Sequence, residues 1–118
     1  MALSDLGRVY HQAGHLEEAV KTYRQTIRLR PDLAQASNSL GEALAAQGKK
    51  REAIDVLRAA LDIDSTLVET QNALGHLYAA EGLLEEAIRQ WEKVLWLAPE
   101  HPAARTWIQR ARKHLSAR

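Results

Sequence analysis

From Leu3 onward, apolar residues recur at helical spacing in short stretches, each broken by glycine or proline. Leu3, Leu6, Val9, Tyr10 and Ala13 predict a first helix, with Gly14 where a left-handed C-terminal cap is wanted. Leu16, Ala19, Val20, Tyr23, Ile27 and Leu29 predict a second, ended by Pro31. The pattern returns with Leu40, Ala43, Leu44, Gly48, Ala53, Ile54, Leu57, Leu61 and Ile63. It returns again with Leu74, Leu77, Tyr78, Gly82, Leu84, Ala87, Ile88, Trp91, Leu95 and Leu97. Pro99 and Pro102 bracket a break, after which Ala104, Ile108, Ala111 and Leu115 share one stripe of a last helix. The expected fold is all-α: three helix-turn-helix units at about 1–32, 33–66 and 67–100, closed by a seventh helix at about 101–116. One apolar stripe with a charged remainder suits that last helix to the end of a stacked array.

The units keep a strict period. Gly7, Gly41 and Gly75 are spaced by 34, as are Gly14, Gly48 and Gly82, and Ala19, Ala53 and Ala87 take the same step. A glycine inside a helix costs about 1 kcal/mol against alanine. Three at one period therefore predict close packing, with Ala19, Ala53 and Ala87 as the small residues opposite. A bulky side chain at Gly41 is expected to overpack its hairpin by about 1–3 kcal/mol. Asp32 with Gln35, and Thr66 with Glu69, have the spacing of a capping box. Glu17 with Lys21, Glu85 with Arg89, and Arg51 with Asp55 are spaced for surface pairs. Lys50, where the other units have Leu16 and Leu84, marks the middle unit as the expected weakest link.

The period of 34, with Leu-Gly, an aromatic three residues on, then alanine, an aromatic and proline, resembles the tetratricopeptide repeat family. The matching residues are Leu3, Leu6, Gly7, Tyr10, Ala19, Tyr23 and Pro31 in the first unit. In the third they are Leu74, Gly75, Tyr78, Ala87, Trp91 and Pro99. The middle unit is looser: Leu40, Gly41, Leu44, Ala53, Leu57 and Ala60 fit, while Ser37 and Ser65 replace a bulky residue and the proline. Thr26 and Gln71 are further departures. The resemblance implies one domain over 1–118, a right-handed α-solenoid of antiparallel helix pairs. It also implies a concave groove lined by the first helix of each pair, where family members bind an extended peptide or a helix of a partner protein.

Helical phase names the residues of that groove. With Leu6, Gly7 and Tyr10 pointing inward, Ser4, Arg8 and His11 form the neighbouring stripe, matched by Asn38, Glu42 and Ala45, then Asn72, His76 and Ala79. Asn38 and Asn72 carry amides able to donate to and accept from a peptide backbone. Some family members hold the free carboxylate end of chaperone tails in a clamp of Lys, Asn and Arg. The corresponding positions here are Ser4, Arg8, Ser39, Glu69 and Ala73, and only Arg8 suits a carboxylate.

Composition narrows the function further. No cysteine is present, which excludes thiol catalysis and disulfides. The net charge of +1 gives no general attraction to nucleic acid, and no apolar run is long enough for membrane insertion. Residues 69–102 carry six acids and two bases, while 103–118 carry five bases and no acid, so the basic end is expected to lie on the acidic hairpin before it. His11 and His15 are four apart, but Gly14 intervenes and no carboxylates complete a metal site. No phosphate-cradling loop or nucleophilic triad is legible. The expectation is a non-enzymatic, cytoplasmic scaffold that needs no cofactor or metal and binds another protein. The alternatives are a self-associating module forming a homodimer, or a piece of a longer repeat array attached to an enzyme. The first of these rests on Met1 falling already inside the first repeat without a preceding cap, together with Trp96. Trp96, whose equivalents are Arg28 and Asp62, is the candidate oligomer contact, against the competing expectation that it packs with Trp107 on the closing helix.

Overall fold

The computed structural model describes residues 3–117; the reading that rests on Met1 lies outside them. Their regular structure is α-helical throughout, with no strand among the described residues. Two compact units are present, Met1–Ser65 and Thr66–Arg118.

The first unit holds α1 (Leu3–Gln12), α2 (Leu16–Leu29), α3 (Ala34–Ala46) and α4 (Lys50–Ile63). Each helix packs on its sequence neighbour, and α1 also touches α3. The turn after α1 is fixed by backbone chemistry. Gly14 has φ +83°, its N–H donates to the His11 carbonyl at 3.0 Å, and the His15 N–H donates to Tyr10 at 2.8 Å. These two bonds satisfy carbonyls orphaned at the helix end. Gly48 closes α3 in the same way. The core of this unit is most complete in its second hairpin, where Leu40, Ala43, Leu44, Ala53, Leu57 and Ala60 are each at most 3 % exposed. Lys50 sits exposed at the very start of α4, outside the buried stripe.

The second unit holds α5 (Val68–Ala80), α6 (Leu84–Leu97) and α7 (Ala104–Ser116), with α6 packed on both others. Leu74, Ala87, Val94 and Ala104 are its driest apolar residues, each at most 1 % exposed, and Trp91 is 4 % exposed. Arg112 of α7 donates to Glu92 of α6 at 2.9 Å, one pair between the basic end and the acidic hairpin.

Several local expectations change. Ala19, Ala53 and Ala87 are fully buried, and the atoms nearest the mid-helix glycines are larger side chains. A Cβ on Gly7 would stand 2.6 Å from Cε1 of Tyr23; on Gly41, 2.5 Å from Cδ2 of Leu57; on Gly75, 2.7 Å from Cδ1 of Trp91. Each glycine thus makes room for a bulky buried side chain of its partner helix. At Gly41 the partner backbone is also close, the added Cβ lying 3.5 Å from the Ala53 carbonyl. The residues at the entries of α3 and α5 are Leu33 and Leu67, one beyond the expected Asp32 and Thr66, and neither supplies a side-chain cap. Both leucines are half-buried. Asp32 lies 3.6 Å from Arg30. Arg89 pairs with Glu86 at 3.0 Å instead of Glu85, while Glu17–Lys21 and Arg51–Asp55 form no ion pair among the described residues. Positions three and four apart are both helical neighbours, and exposed pairs of this kind contribute little.

Candidate functional site

In the first unit, the inner face is polar. Tyr23 reaches from α2 between α1 and α3; it is 2 % exposed, and its hydroxyl is hydrogen-bonded to the side chain of Ser39. Burial pushes its phenol above the usual 10.0, with Ser39 and Arg8 acting in the opposite sense. Beside it, Ser4, Arg8, Leu33, Gln35, Ala36 and Ser39 line a pocket of about 300 Å³. Two of the stripe residues read from helical phase, Ser4 and Arg8, therefore come together. Gln35 and Ser39 join them, and the phase argument missed both as groove residues. In the sequence, Ser39 stands out only through its place at a clamp position of the family.

Arg8 is exposed and donates to Asp5 at 3.1 Å. His11 is half-buried and Glu42 exposed. Because α1 ends at Gln12, His11 and His15 do not share a helix face; the His15 ring meets Tyr10 edge-on at 6.4 Å.

The two amides proposed to grip a peptide are committed elsewhere. Asn38 is 1 % exposed, and its nitrogen donates to Glu42 Oε1 at 3.3 Å. Asn72 is half-buried, 3.1 Å from Nε2 of His101. The other nitrogen of that imidazole, Nδ1, accepts from the backbone N–H of Ala104 at 3.2 Å and of Ala103 at 3.4 Å, capping the start of α7. The atom of Asn72 that faces Nε2 is its amide nitrogen. Asn38 and Asn72 thus act as internal ties, a correction that follows from burial that helical phase does not report.

In the second unit the inner face is aromatic. His76, Trp91, Trp107, Arg110 and His114, with Ala79, Leu84 and Ala111, line a cleft of about 400 Å³. The His76 ring lies edge-on to Trp107, centroids 4.3 Å apart, and to Trp91 at 5.4 Å; Trp91 and Trp107 are 5.7 Å apart. Desolvation holds the His76 imidazole below its usual 6.5. Trp107 therefore packs among Trp91, His76 and His101, and Trp96 is left 85 % exposed. The packing expected of Trp96 with Trp107 fails on helical phase: five residues from Trp91 is about 140° around α6, so one tryptophan points in and the other out.

A tetratricopeptide-repeat model matches residues 4–67, and a second matches residues 68–101. The chain belongs to the tetratricopeptide repeat family. Its fold is accordingly an all-α helical repeat of the solenoid class. The first TPR of Spaghetti (RPAP3), solved bound to the HSP90 peptide SRMEEVD, superposes with a TM-score of 0.92 at 22 % identity, over 97 % of this chain and 90 % of that one. The first TPR domain of human RPAP3 gives 0.90 at 22 %, over 98 % and 91 %. MamA gives 0.92 at 26 %, over 97 % of this chain and 67 % of that one. No curated protein gives a significant sequence match. Within this tetratricopeptide chain, no described helix is long and apolar enough to cross a membrane. The step of 34 also extends into α7: Ser39, Ala73 and Trp107 are successive equivalents, so α7 stands where the first helix of a fourth repeat would begin.

Proposed function

We propose that this chain is a non-catalytic interaction module that holds a segment of another polypeptide against the first helix of each pair. In the first unit that face is carried by Ser4, Arg8, His11 and Glu42; in the second, by His76. The observation that carries the reading is the pocket between α1 and α3, where Arg8 and the hydroxyls of Ser4 and Ser39 converge on a space able to take a side chain. Repeats of this family are protein-interaction modules, and one fold neighbour was solved with a peptide. The partner differs in kind from a chaperone tail held by a full carboxylate clamp, because Glu69 and Ala73 stand at clamp positions where a cation or an amide would be needed. Affinity capture from native lysate followed by mass spectrometry, comparing the wild type with Arg8→Glu, tests this. Proteins lost from the Arg8→Glu capture support the α1–α3 face; an identical captured set removes it.

Self-association is the second reading, favoured by Trp96 at 85 % exposed beside Leu97 at 38 %. An exposed tryptophan of this size is a common anchor at interfaces. Light scattering over a concentration series decides it: a mass that stays at one chain throughout rejects the homodimer.

A further inference from the structure

We infer that the cleft between α5, α6 and α7 receives a bulky apolar side chain of a partner peptide, one that carries a carboxylate beside it. The inference rests on the peptide-binding reading above and names the chemistry of the ligand at the second unit.

The walls come first. Trp91 and Trp107 present indole surface, and Leu84, Ala79 and Ala111 complete an apolar lining around about 400 Å³. That volume falls in the range of sites that accept a small group. Trp107 is only half-buried, although its equivalent by the 34-residue step, Ser39, is a small polar residue. A large indole at a position where the repeat otherwise carries Asp5, Ser39 and Ala73 leaves apolar surface in contact with water, and covering it is favourable.

The rim selects the sign of charge. Arg110, His76 and His114 line the cleft, and none of its lining residues is acidic. Arg112, two residues along α7, is taken up by Glu92 at 2.9 Å, whereas Arg110 has no ion pair among the described residues. Paired tryptophans alone would also suit a cationic ligand. Arg110 beside them disfavours a cation and offers a planar, bidentate partner to a carboxylate. The cleft is thus matched to an apolar side chain held between the indoles, with an adjacent Asp, Glu or chain-end carboxylate on Arg110.

The test uses the full chain carrying Trp96→Phe, so that its emission comes from Trp91 and Trp107. The probe is a blocked octapeptide, Gly-Ser-Gly-Phe-Asp-Glu-Gly-Ser, compared with versions carrying Ala for Phe or Lys-Lys for Asp-Glu. Saturable change in tryptophan emission is expected with the first peptide, and binding about tenfold weaker or worse with each control. Arg110→Glu lies on the surface and should preserve the helical circular dichroism while weakening the first peptide by about tenfold; Arg110→Lys should keep part of the affinity. Equal affinity for all three peptides, no saturable change into the millimolar range, or an unaffected Arg110→Glu variant overturns the inference. Adding Arg8→Glu separates the two readings. Loss with Arg8→Glu but not with Arg110→Glu leaves the α1–α3 face standing and removes the cleft. Loss with Arg110→Glu but not with Arg8→Glu keeps the cleft and removes the α1–α3 face. Emission that changes with protein concentration in the absence of peptide would assign the cleft to a second copy instead.

Discussion

The two units solve one packing problem with different chemistry. In the first, Gly7 admits the ring of Tyr23, whose hydroxyl ends on Ser39 and leaves a polar pocket in front. In the second, Gly75 admits the larger indole of Trp91, and the residue at the place of Ser39 is Trp107, whose ring lies 5.7 Å from it. A tyrosine–serine contact has become a tryptophan–tryptophan contact without a change of backbone register. The repeat therefore fixes where the two side chains meet, and their identity sets whether the face beside them is polar or aromatic.

Trp91→Ala is the strongest way to break this comparison. The side chain is 4 % exposed and fills the space opened by Gly75. Its removal should cost about 3–5 kcal/mol, as for other buried aromatics. Tyr23→Phe, which deletes only the hydroxyl, should cost about 1 kcal/mol. Urea unfolding measures both. Comparable losses would mean that the polar contact of the first unit holds as much as the indole of the second. Hydrogen exchange should place the Trp91→Ala loss chiefly in α5–α7, since repeats depend mainly on their neighbours.

His101→Ala comes next. It removes the acceptor for the amides of Ala103 and Ala104 and the partner of Asn72. The loss of a helix cap costs about 1 kcal/mol. Faster amide exchange at Ala103 and Ala104, with α1 unaffected, is the expected signature. Unchanged exchange there would show that α7 is held by its apolar stripe alone.

Helix positions, the turns at Gly14, Gly48 and Gly82, and the all-α class were legible because each follows from spacing or backbone conformation. The exposed rows of Arg8, Glu42 and His76 also followed from phase. Asn38 was not legible as a buried residue, because polar spacing gives the direction of a side chain and says nothing of what covers it. The Asn72–His101 contact joins residues 29 apart across a break between helices, which no local pattern encodes. The bulky partners of the glycines were not legible because small residues were matched with small residues. Volume complementarity sets the pairing, so a missing Cβ faces Tyr23, Leu57 or Trp91.

A gentler pair of effects sharpens the contrast through pH. Burial depresses the His76 imidazole from 6.5, so the unfolded chain takes up a proton first as pH falls. The contribution of His76 is present above about pH 6.5 and declines below it. Tyr23 is the mirror case: burial raises its phenol above 10.0, so its contribution is intact below about pH 10 and declines above it. Urea midpoints should fall less on acidification in His76→Gln than in the wild type, and less at alkaline pH in Tyr23→Phe. A His76→Gln profile parallel to the wild type through the acid range would remove the acid-sensitive role given to the second unit.

The smallest effect is expected at Trp96, and its smallness is informative. With 85 % of its surface in water, the ring makes little core contact, although it lies on the same helix as Trp91. Trp96→Ser should change folding stability by no more than about 0.5 kcal/mol, as for an exposed site without special contacts. Urea unfolding of dilute protein measures this, and the mutant emission should shift to the blue as the water-exposed indole is lost. A cost of several kcal/mol would place Trp96 in the core of its unit and return Trp107 to the role of partner. A cost that appears only at high protein concentration would instead give Trp96 an interface with a second copy, since such stabilisation scales with the concentration of the binding partner.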